Sequence, residues 1–386
     1  MGADEISPRA RAIHFSSLVF DTHADTPQRL FFDQFDLAKR DAEGCVDIPR
    51  LREGGVGAIF LALWVPVEIT GGAATRRAQG LLDATLKQIE IHGDDLALAT
   101  SPDQVLKARS KNKIAVLLGI EGGHAIDNSL AVLRGFHERG VRYMTLTHNA
   151  ATDWADSSND APRHNGLTDF GRQVIREMNR LGMLIDISHV SDAAFYNVLE
   201  ASRAPVIASH SCCRALCDSP RNLDDSMIKA LASQGGVIHI TFHDAFLSQD
   251  YATANRALAS EIASHERAVS QKFGANEARN LMELQRLSDE AIRTGKLPQV
   301  GWEKIVDHID HAVGIAGTDH VGIGSDFDGA FMPEGMEDAS RFPFLTEGLV
   351  RRGYKEPDIR KILGENTLRV MADTERIGKQ LRAEKS

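Results

Sequence analysis

Eight short runs rich in Val, Ile and Leu punctuate the chain, at 18–25, 57–65, 114–119, 142–148, 183–189, 205–210, 236–242 and 320–326, each bounded by Gly, Asn, Asp or Pro. They lack the strict alternation of a sheet with one wet face, so they predict parallel strands covered on both sides. Amphipathic stretches such as 128–139, 169–181 and 192–202 lie between them, several opened by Asp, Asn, Ser or Thr as helix caps. Eight strand–helix units predict the α/β class, and a closed (β/α)8 TIM barrel rather than an open doubly wound sheet. The expected organisation is one domain over residues 1–386. The longest break in the rhythm, about 248–298, is rich in Ala, Glu, Arg and Gln and predicts a helical insertion after strand seven. It reads first as a solvated helical hairpin on the barrel rim, with a substrate lid as the alternative.

Composition narrows the field of partners. The chain has 44 Lys and Arg against 54 Asp and Glu, a net charge of −10, which repels phosphodiester backbones and anionic bilayers, so no nucleic acid is expected. No run of about 18 apolar residues exists, so no membrane span is expected. The N-terminus is acidic and polar, without the basic and apolar regions of a secretory signal, and Arg382 begins a charged tail; the expected location is cytoplasmic. Four cysteines are too few for a disulfide scaffold, although one or two bridges could form. Cys212, Cys213 and Cys217 read as small buried side chains rather than metal ligands.

Barrels of this type carry their chemistry at the C-terminal ends of strands, and that is where the unusual residues fall. The first strand ends in His23 and Asp25, which face the same side at i and i+2. The third ends in Glu121 within Gly119-Ile120-Glu121-Gly122-Gly123-His124, where a buried acid without a cation would be costly; an exposed acid at a loop start is the plainer reading of that motif alone. The fifth and sixth end in His189 and His210, separated by one helix plus one strand. The fourth ends in His148 and the eighth in Asp326. Four of 15 histidines thus sit at strand ends beside three acids. His23, Asp25, Glu121, His189 and His210 form a set that two ions sharing Glu121 as a bridge would satisfy, with N and O donors suited to zinc. His148 and Asp326 remain for proton and charge work.

The ordered motifs Phe20-Asp21-Thr22-His23-Ala24-Asp25, Gly119 to His124, Leu146-Thr147-His148-Asn149, Asp153-Trp154-Ala155-Asp156, Leu184 to Ser191, Ser209-His210-Ser211, Pro220-Arg221-Asn222 and Gly324-Ser325-Asp326-Phe327-Asp328-Gly329 make the chain resemble the membrane (renal) dipeptidase family of the amidohydrolase superfamily. The resemblance implies an amidohydrolase-like barrel in which His23, Asp25 and Glu121 hold one Zn2+ and Glu121, His189 and His210 the other. It implies that His148 contacts substrate and stabilises the oxyanion, that Arg221 binds the free carboxylate of a dipeptide, and that Asp326 is the acid/base group. It also implies a homodimer, and substrates that can include a D-residue at the C-terminal position. An ion pair with Asp224 or Asp225 is the alternative reading of Arg221. Asp328 is expected to support the site from behind, and Trp154 to line its wall. The expected activity is metal-dependent hydrolysis of dipeptides. Two alternatives compete with it: a different amidohydrolase reaction on the same ligands, on a lactone, carbapenem or phosphoester, and a barrel that binds metal or peptide without turnover.

Overall fold

The computed structural model describes residues 5–384, so the first four residues of the polar N-terminus and the last two of the charged tail lie outside the described residues. Nine strands form one parallel sheet: β1 (Val19–Ala24), β2 (Val56–Trp64), β3 (Leu96–Leu98), β4 (Ile114–Glu121), β5 (Val141–Thr145), β6 (Leu184–Asp186), β7 (Ile207–Ser211), β8 (Val237–Ile240) and β9 (Val321–Ile323). Their order is β2-β1-β9-β8-β7-β6-β5-β4-β3, with a further pairing of β2 on β4. That pairing runs from Ala58↔Ala115 to Trp64↔Glu121 and closes eight of the strands into the (β/α)8 barrel. The ninth, β3, pairs only with the start of β4, from Leu96↔Ile114 to Leu98↔Val116. Three residues are too short to register as an apolar run, which is why the sequence pattern misses it.

The strands are as apolar as a doubly covered sheet requires, and every residue of β1 and β4 is buried. Helices seal the outside, and their caps fall within one residue of the expected starts. Ser129, Thr168 and Ser191 accept hydrogen bonds from the amides of Val132, Gly171 and Ala194, opening helices Leu130–Glu138, Asp169–Leu181 and Asp192–Ala201. Inside the barrel Phe20 stacks on Phe60 at 5.7 Å, and Phe60 meets the Tyr143 ring at 4.8 Å. The Tyr143 ring fills space that only glycine leaves at position 119, since a Cβ there would lie 2.1 Å from Tyr143 Cζ. This packing sets the height of Tyr143 beneath the catalytic end.

Several strands stop short of their expected ends. β6 and β9 end at Asp186 and Ile323, three residues before His189 and Asp326, because these two have φ of 68° and 67° and so leave the extended region. Left-handed backbone at a histidine and an aspartate is costly, and here it turns both side chains over the barrel mouth.

The insertion folds as three helices, Gln249–Ala257, Ala259–Phe273 and Glu277–Arg293, between the seventh barrel strand (β8) and the helix Glu303–Ala316. Asn276 Nδ2 and Arg279 Nε both donate to Asp33 Oδ1, at 2.9 and 3.1 Å, fastening the last of these helices to the loop after β1. All four cysteines are free, and Cys212, Cys213 and Cys217 are buried as expected. Among the described residues no helix is long and apolar enough to cross a membrane.

Candidate metal centre

The five expected ligands converge. Glu121, the last residue of β4, is 3% exposed, so the reading of it as an exposed loop acid is set aside. Its Oε1 lies 3.0 Å from His189 Nε2 and 3.2 Å from His210 Nε2, while its Oε2 lies 3.4 Å from His23 Nε2. The His189 and His210 Nε2 atoms are 2.9 Å apart, and His23 Nε2 lies 3.6 Å from Asp25 Oδ2. Asp326 Oδ1 approaches His23 Nε2 at 3.9 Å. His148 joins Glu121 and His189 in one potential ligand group, and Asp326 joins His23 and His210 in another. Backbone bonds from Asp25 N to Phe327 O and from Asp326 N to His23 O, at 2.8 and 3.0 Å, lock the ends of β1 and β9 together and so bring Asp25 and Asp326 to one place.

The donor set fits divalent cations. Asp25, Glu121 and Asp326 are three carboxyl groups, each at most 8% exposed, crowded around imidazoles rather than ammonium groups. Burial, with Asp25 and Glu121 as neighbours, pushes the Asp326 carboxyl well above the usual carboxylate range. Burial also pushes His210 down to about 3 and His189 well down, so both imidazoles are neutral, the form that ligates. His23 Nε2 and Asp25 Oδ1 are buried with no hydrogen-bond partner. A cation at each end of Glu121 would give every one of these atoms a partner, and N and O donors are those of zinc-type sites.

A layer below the ligands, polar residues fix which ring nitrogen faces the centre. His23 Nδ1 is 2.8 Å from the Tyr143 hydroxyl, and His210 Nδ1 is 2.8 Å from Ser209 Oγ, which donates to Asp186 Oδ2 at 2.6 Å. With Nδ1 donating in both rings, each Nε2 keeps its lone pair for metal. Asp21 accepts from the Ser325 amide at 2.8 Å and hydroxyl at 2.6 Å, bracing the strand end that carries Asp326. Sequence reasoning assigned no role to Tyr143, Asp186, Ser209 or Asp21. One of them, Asp21, stands two residues before His23, where alternation along a barrel strand places the next layer down. We expect Tyr143→Phe and Ser209→Ala each to weaken zinc binding ~10–100-fold, read by competition with a chromogenic chelator; unaltered affinity in both would remove the tautomer-fixing role.

Asp328 is among the residues that wall the cavity over the site, so it is not confined to support from behind. It accepts from Thr26 Oγ1 at 2.7 Å and from the Cys45 amide at 2.8 Å, tying down the loop that follows Asp25. Trp154 does not line the site. It is fully buried against Phe170, and a Cβ on Gly123 would lie 2.4 Å from its ring, so it serves as core packing under the Gly122-Gly123 turn. The indole at the site is Trp64, at the end of β2, 5.4 Å from the His148 ring.

Arg221 is 3% exposed and makes no ion pair with Asp224 or Asp225. Asp224 caps a helix through the Met227 amide, and Asp225 pairs with His311. Its Nη2 donates to the His210 carbonyl at 3.0 Å, its guanidinium lies 5.2 Å from the Phe246 ring centre, and its Nε is buried without a partner. It therefore sits behind the cavity wall rather than on it. The cavity itself, about 260 Å3, is walled by Asp25, Glu121, His148, His189 and Asp326 together with Trp64, Phe246, Glu277, Asn280, Leu281 and Leu284. The last four belong to the insertion, whose third helix presents i, i+3, i+4 and i+7 to the site. A solvated hairpin on the rim is thus not what the insertion forms; it supplies a wall of the cavity.

The family model of the membrane dipeptidases, peptidase family M19, matches residues 7–385. The chain belongs to this family. Dipeptidase 3 of Rattus norvegicus is 36% identical over 340 residues, covering 86% of this chain and 59% of that protein, so the chain spans less than two thirds of that relative. The structure of the probable dipeptidase PvdM from Pseudomonas aeruginosa superposes with a TM-score of 0.81 at 26% identity, over 96% of this chain and 100% of that one. A metallo peptidase from Rhodobacter sphaeroides, liganded with a phosphinate mimic of the dipeptide L-Ala-D-Ala, superposes with a TM-score of 0.76 at 26% identity, over 93% of this chain and 99% of that one.

Proposed function

We propose that this M19 chain is a zinc-dependent dipeptidase that hydrolyses the amide bond of dipeptides bearing a free C-terminal carboxylate, L-Xaa-D-Xaa substrates included. The observation that carries the reading is the convergence of three buried imidazoles, those of His23, His189 and His210, on the two oxygens of Glu121. The dipeptide mimic bound by the Rhodobacter sphaeroides protein supports the substrate class.

His23, Asp25 and Glu121 would hold one ion, and Glu121, His189 and His210 the other. Bound divalent ions supply Lewis acidity, lowering the pKa of water from about 15.7 to about 7 and polarising a carbonyl. The protein's own groups do the rest. Asp326, raised over the mouth by its left-handed backbone, takes the proton from the attacking water and returns it to the departing amine nitrogen. His148, held between Trp64 and His189, donates a hydrogen bond to the oxyanion as the carbonyl carbon becomes tetrahedral. Trp64, Leu281 and Leu284 exclude water from around the amide. Arg221, behind the wall, adds a buried positive charge beside Asp326 and Glu121, and we assign it the attraction of the substrate's free carboxylate towards that side of the cavity.

A panel of zinc-loaded assays separates the competing reactions, with dipeptides cleaved and lactones and phosphotriesters left intact. The reverse pattern contradicts the proposal. Arg221→Ala is expected to raise KM for dipeptides about tenfold or more and to abolish discrimination between free and amidated C-termini. Retained discrimination would refute the carboxylate role.

A further inference from the structure

A second cavity, about 410 Å3, lies among the three insertion helices and is walled mainly by Leu258, Ile262, Leu284, Leu287, Leu297 and Phe331. It shares His243 and Leu284 with the cavity over the metal centre, so two side chains form the partition between them. Its size falls in the range of ligand pockets. The lining also carries the charged groups Glu261, Glu266, Glu290 and Lys296, of which Lys296 Nζ and Glu261 Oε1 pair at 2.6 Å with both side chains well exposed.

The cavity's place relative to Arg221 defines what enters it. The Arg221 guanidinium faces the Phe246 ring at 5.2 Å, Phe246 meets the His243 ring at 4.5 Å, and His243 meets Phe331 at 5.9 Å. A carboxylate drawn towards Arg221 therefore has, next to its own Cα, the partition formed by His243 and Leu284. Building on the dipeptidase reading, we infer that the side chain of the substrate's C-terminal residue passes this partition into the insertion cavity, and that the chain selects dipeptides ending in a large aliphatic or aromatic residue. The insertion then acts as a specificity element. Its third helix meets the metal-centre cavity with Leu281 and Leu284, and the apolar cavity with Leu284, Leu287 and Ala291. The apolar part of the wall favours each added methylene of the side chain that enters.

The test compares kcat/KM of the zinc-loaded protein for dipeptides with one N-terminal residue and a C-terminal Gly, Ala, Leu or Phe. The wild type is expected to prefer Leu or Phe over Gly by about tenfold or more. Ala291→Trp and Ile262→Trp, on different helices and each filling the cavity, are expected to lower the Leu-to-Gly and Phe-to-Gly ratios at least about tenfold, mainly through KM. Because the ratio is taken within one protein, partial loss of folded material in either variant cancels. A wild type that favours Gly, or ratios that stay constant in both variants, would overturn the inference while dipeptide cleavage stands. Absence of cleavage of every dipeptide by the zinc-loaded wild type would instead overturn the dipeptidase reading, and the inference with it.

Discussion

Asp326→Asn is expected to lower kcat about 10²–10⁴-fold on dipeptides while the protein still holds about two zinc ions per chain. Asparagine keeps the shape and the left-handed backbone that aspartate tolerates at this position, φ 67°, but cannot accept a proton from water. Asp326 Oδ1 lies 3.9 Å from His23 Nε2, near enough to the cluster to exchange a proton with a water held there. Steady-state kinetics paired with elemental analysis reads both halves of the expectation. Unchanged turnover would take Asp326 out of the mechanism, and loss of an ion would make it a ligand.

Glu121→Gln is expected to have the larger effect, lowering the zinc content from two ions to at most one and kcat/KM by about 10³ or more. The substitution is nearly isosteric, but an amide offers one weak acceptor and a donor where the native side chain offers two anionic oxygens. Those oxygens stand within 3.0 to 3.4 Å of three imidazole Nε2 atoms. Without a shared anion between them, three imidazoles and Asp25 would leave two dications poorly compensated in a buried site. A far-UV spectrum identical to the wild type would tie the loss to the site rather than to the fold. Two ions retained at full turnover would show that Glu121 does not bridge.

Much of this site was legible from the chain alone, because a parallel barrel turns linear spacing into geometry. Equivalent strand ends meet at one rim, so His23, Glu121, His189, His210 and Asp326 could be grouped before any coordinate was known. What escaped has physical causes. Leu96–Leu98 is too short a strand to show as an apolar run, and it pairs only with the start of β4. The supports at Tyr143, Asp186 and Ser209 act through one-to-one hydrogen bonds across strands distant in sequence, and no periodicity encodes those partners. Trp154 sits in a motif beside site residues, yet Gly123 opens a slot that draws it into the core. The helix Glu277–Arg293 reads as an ordinary amphipathic segment. Its attachment to Asp33 and its packing on the helix before it bring Glu277, Asn280, Leu281 and Leu284 to the cavity over the metal centre.

Anomalous scattering at the zinc edge, on crystals of zinc-replenished wild-type protein, tests the dinuclear centre most directly. Two peaks are expected, one beside His23 and Asp25 and one beside His189 and His210, with a Glu121 oxygen on each. A single peak, or none at Glu121, would contradict the account.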